Sequence, residues 1–219
     1  MRITLPSGTA AEIATPDGPS TMGLVIAPDI FSLRPLYDGL VARLAEEWSM
    51  TVCAVEPFPG RELSADIDPR FAAVPSIDDD VHLRDLIEGA AASGAERVGL
   101  LGFCLGGMYC HKASRSDRFA RIVSFYGMIR VPTGWRSPTQ GEPLGYLAAG
   151  HPDRVLAIIG ERDHYTPSAD VDALAATGVT VVRYPEAEHG FAHDTSRPAH
   201  RPDDAADAFH RAHTWLLCQ

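Results

Sequence analysis

Three short stretches of this 219-residue sequence carry side chains suited to covalent chemistry. In the first, Gly102-Phe103-Cys104-Leu105-Gly106-Gly107, an apolar run leads straight into a cysteine. Small residues two before and two after it let a strand and a helix approach closely around a sharp turn. Such a turn lifts one side chain above a sheet, which is the G-x-S-x-G nucleophile elbow with Cys in place of Ser. A thiol at a helix N-terminus is also biased toward its reactive thiolate by the helix dipole. The competing reading of Cys104 is a small buried hydrophobe beside an ordinary strand-to-helix turn.

The second stretch, Gly160-Glu-Arg-Asp163-His-Tyr-Thr-Pro167, follows another apolar run. An aspartate there can orient an imidazole and favour its imidazolium, or simply close an Asx-turn. The third stretch ends His189-Gly190-Phe191, again after a strand-like run. One His among nine is ordinarily a solvated residue. Order shifts the balance: nucleophile, acid and base occur as Cys104, Asp163 and His189, each after its own strand, as in α/β-hydrolases. The oxyanion hole that this chemistry requires falls to two backbone N–H groups. One is Leu105, beside the nucleophile, and the other is Ile30 in the loop Pro28-Asp29-Ile30-Phe31.

The elements that must position these residues alternate along the chain. Met22 to Ala27, Thr51 to Val55, Arg97 to Phe103, Ile122 to Tyr126, Val155 to Ile159 and Val179 to Tyr184 are apolar runs of strand length. Runs of this kind suit parallel strands buried on both faces. Helical spacing marks Leu36 to Trp48, and further helices are expected over Asp78 to Ala92, Met108 to Ser114, Ser168 to Ala176 and Asp203 to Leu217. The fold class is therefore α/β: an α/β-hydrolase fold with a mostly parallel central sheet, helices on both faces and one domain over 1–219. Ligands bind beyond the carboxyl ends of such strands, where Cys104, Asp163 and His189 fall. Glu56 to Pro75, with four prolines, is read as a long loop, and Val131 to Gly150 as a surface excursion.

Composition narrows the partners. Nineteen basic against 29 acidic side chains give a net charge of −10, and Lys112 is the only lysine, so nucleic acid is an unsuitable partner. No apolar run reaches the roughly 18 residues of a membrane span, and the N-terminus lacks a signal-peptide pattern. The four cysteines form no C-x-x-C pair. A cytoplasmic chain with reduced thiols is expected, Cys53 and Cys110 being packing residues. His189 and His193 are four apart, but Gly190 between them argues against a helical metal pair, and Asp78-Asp79-Asp80 reads as a solvated helix start. No metal or cofactor is expected.

Gly102-Phe-Cys-Leu-Gly-Gly107, Phe125-Tyr-Gly127, Gly160-x-x-Asp163-His-x-x-Pro167 and Glu186-Ala-x-His189-x-Phe191 together resemble the dienelactone hydrolase family, in order over nearly the whole chain. The resemblance implies metal-free hydrolysis of small esters or lactones by a Cys104-His189-Asp163 triad, the best-known substrate being a dienelactone opened to maleylacetate. Asp29 stands where well-known members place a glutamate that helps activate the nucleophile. Arg61 matches the first of two arginines that hold the substrate carboxylate, and His193 replaces the second. The resemblance thus implies a substrate pocket built from Asp29, Phe31, Arg61, Tyr126 and His193, with neutral substrates accepted at least as well as anionic ones. Two other classes use a cysteine elbow. A class I glutamine amidotransferase expects a His-x-Glu pair, which His189-Gly-Phe191 lacks, and a non-catalytic or redox-sensing α/β protein would keep only a reactive Cys104.

Overall fold

The computed structural model describes residues 1–20 and 22–218. Its strands are β1 (Arg2–Thr4), β2 (Ala10–Ala14), β3 (Met22–Ala27), β4 (Met50–Val55), β5 (Val98–Phe103), β6 (Arg121–Phe125), β7 (Val155–Gly160) and β8 (Thr180–Tyr184). They form one eight-stranded sheet in the order β1-β2-β4-β3-β5-β6-β7-β8. From β3 to β8 every pairing is parallel, whereas β1 and β2 add an antiparallel edge. The strands β3, β4, β5 and β7 are buried along their whole length. Alternation splits each run between two cores: Val25 and Ala27 join one, Leu24 and Ile26 the other.

Among the described residues seven α-helices cover the sheet: α1 (Pro35–Trp48), α2 (Ile67–Ala73), α3 (Asp79–Ala92), α4 (Leu105–Lys112), α5 (Pro143–Ala148), α6 (Ser168–Ala175) and α7 (Pro202–Leu217). Tyr37, Leu40, Val41, Leu44, Ala45 and Trp48 recur at the spacing of one helix face, and that face of α1 packs with α7 on one side of the sheet. Buried residues of α3, α4, α5 and α6 fill the other side. The expected α/β class and mostly parallel sheet are borne out. No helix of the described residues is long and apolar enough to cross a membrane.

Two segments differ from expectation. The proline-rich loop contains α2, because Pro69 lies in the first helical turn, where its missing N–H breaks no intrahelical bond. Pro143 opens α5 in the same way. The region 131–150 is anchored rather than a free excursion. Asp79 accepts hydrogen bonds from the Gly141 N–H (2.8 Å) and the Tyr146 hydroxyl (3.0 Å) and pairs with the buried Lys112 ammonium at 2.7 Å. Trp135, from the same region, is buried. The sheet order reverses between β3 and β5, whose neighbours β4 and β6 lie on opposite sides. The loops leaving β3 and β5 therefore flank a crevice, the place where such sheets bind ligands.

Candidate active site

Cys104 is the residue between β5 and α4, with φ 54° and ψ −113°. A non-glycine residue there is strained, and close packing of the surrounding backbone maintains it. A Cβ on Gly106 would overlap the Ala27 carbonyl oxygen, and one on Gly102 the Gly106 carbonyl oxygen. The two glycines thus let α4 start directly against β3 and β5. The Cys104 N–H donates to the Phe125 carbonyl at 3.1 Å, which fixes the turn to β6.

His189 and Asp163 leave β8 and β7 and meet over the sheet. Asp163 Oδ2 lies 2.7 Å from His189 Nδ1, and Asp163 Oδ1 accepts the Tyr165 N–H at 2.8 Å. Both side chains are buried. His189 Nε2 has no hydrogen-bond partner among the described residues. Burial disfavours the imidazolium, but the negative charge of Cys104 and the bond to Asp163 outweigh it and raise His189 to about 10.

The Ile30 loop is fixed from the outside by Arg70 of α2. Its guanidinium donates to the Ile30 carbonyl (3.0 Å), the Ser32 hydroxyl (3.0 Å) and the carbonyls of Leu63 (2.9 Å) and Ser64 (2.6 Å). Arg70 holds the Ile30 carbonyl, and the N–H groups of Ile30 and Leu105 are committed to no described group. The guanidinium groups of Arg34 and Arg70 each lie 5.5 Å from the Phe31 ring centre.

Cys104 and His189 open on one cavity of about 360 Å³, lined also by Ile30, Phe31, Phe71, Trp135, Tyr165 and Arg197 among others. Of the five residues expected to bind substrate, Phe31 alone lines it. Arg61 lies elsewhere, bonded to the Ser76 hydroxyl at 2.5 Å on a separate cleft near α3. Asp29 does not line the cavity with Cys104. Both its oxygens are taken by Arg34 (2.6 and 2.9 Å), and it also pairs with His193 Nε2 at 2.7 Å. Burial would raise its carboxyl, but His193 and Arg34 hold it well below the usual carboxylate range. His193 is buried against Phe103 (ring centres 4.4 Å apart), and its Nδ1 meets the Tyr126 hydroxyl. Burial lowers its pKa despite the pull of Asp29, and it does not line the cavity. Tyr126, its hydroxyl used by His193, sets its ring edge-on to His189 at 5.2 Å.

The cation of the cavity is instead Arg197, which the sequence reading missed. Its guanidinium packs over Gly190, whose φ of +79° bends the chain under it. A basic residue eight positions after His189 was the available signal, but the turns between them are not readable from spacing. Trp135 and Tyr165 were likewise missed, although Tyr165 is only two residues from Asp163.

The pattern of the dienelactone hydrolase family matches residues 9–218. Carboxymethylenebutenolidase 2 of Cupriavidus pinatubonensis is 28% identical over 184 residues, 80% of this chain and 75% of that protein. A carboxymethylenebutenolidase of Rhodococcus opacus is 27% identical over 202 residues, 88% of this chain and 79% of its own. Among solved structures, a Klebsiella pneumoniae protein considered a candidate dienelactone hydrolase superposes with a TM-score of 0.88 at 22% identity, covering 100% of this chain and 98% of that one. With the family pattern running from the second strand to the last helix, the chain belongs to the dienelactone hydrolase family.

Proposed function

We propose that this hydrolase cleaves small carboxylic esters or lactones through a thioester on Cys104, with His189 carrying protons and Asp163 holding His189. The observation that carries the reading is the 2.7 Å Asp163–His189 contact, with the free Nε2 and the strained Cys104 sharing one cavity. The Cys104 thiolate adds to the acyl carbon, and the carbonyl oxygen becomes an oxyanion facing the N–H groups of Leu105 and Ile30. Collapse breaks the C–O bond, and the departing oxygen takes the proton of His189. The thioester is neutral, so the charge that raised His189 has gone, and the imidazole can now take a proton from water. Hydroxide adds to the thioester, and thiolate leaves as the acid is released.

This sequence has a pH signature. The acylation step, read as kcat/KM for an alkyl ester, needs the imidazolium and should fall as pH rises through about 10, where free His189 loses its proton. Hydrolysis of an isolated acetyl-enzyme needs the neutral imidazole and should instead rise with pH, with a midpoint below that of the acylation step because the Cys104 charge that helps raise His189 is gone. Identical profiles for the two steps would contradict the assigned proton transfers.

Arg197, the cation on this cavity among the described residues apart from protonated His189, supports a substrate with an anionic group. A charge-assisted hydrogen bond contributes about 1.5–3 kcal/mol. Arg197→Ala should therefore lower the anionic-to-neutral ratio of kcat/KM about 10- to 100-fold, whereas Arg61→Ala should leave it unchanged. A panel of aryl esters and lactones, one bearing a carboxylate, tests both the activity and this preference. No turnover of any member would end the reading.

A further inference from the structure

The cavity that holds Cys104 does not end at its aromatic wall. Phe71, Trp135 and Tyr165 also line a second hollow of about 300 Å³, completed by Ala72, Pro132 and Gly134. None of these six residues carries a charge, in contrast to the inner cavity with Arg197. Phe71 and Trp135 lie 5.7 Å apart with their rings inclined at 52°, and Tyr165 is the third aromatic residue of the lining. An apolar cavity of roughly 150 Å³ accepts a benzene ring, so the outer hollow has room for one aryl group. Aromatic walls at such angles favour a ring over a flexible chain, since offset and edge-on contacts reward fixed planar surfaces.

The position relative to His189 assigns the hollow to one half of the substrate. The leaving oxygen must receive its proton from His189 Nε2, so the alcohol portion lies on the His189 side of the reacting carbon. Tyr165 stands edge-on to the His189 ring, with centres 4.8 Å apart, and is a wall of both spaces. Ile30 and Cys104 line the inner cavity and not the outer hollow. We propose that the Phe71–Trp135–Tyr165 hollow is a leaving-group subsite for neutral aryl or arylmethyl alcohols. This rests on the thioester reading above and extends it to the shape of the substrate.

The test compares benzyl acetate with ethyl acetate, and ethyl phenylacetate with ethyl acetate, by kcat/KM. In the first pair the ring lies in the alcohol and in the second in the acyl group. Wild type should favour benzyl over ethyl acetate at least tenfold, with a smaller preference in the acyl pair. Gly134→Trp and Ala72→Trp should each fill the hollow. The Gly134 Cβ meets no atom within 4 Å, and Ala72 is exposed on α2, so both changes are sterically open. Each variant should bring the benzyl-to-ethyl ratio near unity. The acyl-pair ratio should stay within about twofold of wild type, and hydrolysis of the acetyl-enzyme should keep its rate. A benzyl preference absent from wild type, or surviving both variants, would overturn the subsite. Collapse of the acyl-pair ratio instead would overturn its assignment to the alcohol. Turnover of both acetates that persists in Cys104→Ala would sink the thioester reading, a result separate from either of these.

Discussion

Cys104→Ala should reduce ester turnover by about 10⁴-fold or more, because nucleophile, base and orienting acid act as a unit. What survives should be the weak contribution of the Leu105 and Ile30 N–H groups acting on bound substrate. Folding should be unaffected, since alanine removes only the sulfur from a partly exposed side chain. Alkylation gives an independent check on the same residue. Burial pushes the Cys53 thiol up to about 12 and the Cys110 thiol well above its ordinary range, so neither supplies thiolate near neutral pH. Cys218 is exposed and will compete for label. Iodoacetamide should therefore modify Cys104 and Cys218, with loss of activity tracking Cys104 alone, and Cys218→Ser should be inactivated at the wild-type rate. Inactivation that follows label at Cys218, or full activity in Cys104→Ala, would refute the nucleophile.

The residues immediately after strands were legible in the sequence, and those deeper in the loops were not. Cys104, Asp163 and His189 each follow an apolar run, so strand direction alone brings them to one edge of the sheet. Gly102 and Gly106 mark the elbow because their missing side chains are a property of the sequence itself. Arg61 and His193 lie in loops whose paths are set by distant packing. His193 turns inward because Asp29, Tyr126 and Phe103 receive it, and none of these is near it in the chain. The apolar wall escaped for a related reason. Trp135 belongs to a region anchored by residues far away in the chain: Asp79 binds Gly141 and Tyr146, and Gln140 donates to the Val74 and Ile77 carbonyls. The edge hairpin was missed because β1 has three residues and β2 is made mostly of alanine, which gives little strand signal.

Asp163→Asn and Asp29→Asn should separate two aspartate–histidine pairs that have the same 2.7 Å separation. In the first pair the far nitrogen of the ring is unpartnered and shares the cavity with Cys104. In the second the far nitrogen of His193 is used by the Tyr126 hydroxyl, and no reacting group is in reach. An amide at position 163 presents its NH₂ to Nδ1 and drives the proton onto Nε2, leaving the imidazole unable to act as base. Activity should fall about 10⁴-fold with little change in Tm. An amide at position 29 leaves the Arg34 guanidinium without its buried counter-charge, at a cost on the order of 3 kcal/mol because Arg34 is partly exposed. The loss of kcat/KM should be at most about 100-fold, from a loosened Ile30 loop.

Acid stability distinguishes the two further. The Asp29 carboxyl is held below its unfolded value, so its stabilisation is complete above about pH 4 and is lost as pH falls through the depressed folded value. Wild-type Tm should therefore drop steeply in acid, and Asp29→Asn should flatten that slope while lowering Tm at neutral pH. If Asp29→Asn instead silenced the enzyme as fully as Asp163→Asn at unchanged Tm, Asp29 would belong to the reacting groups and the thiol would have a second activating partner.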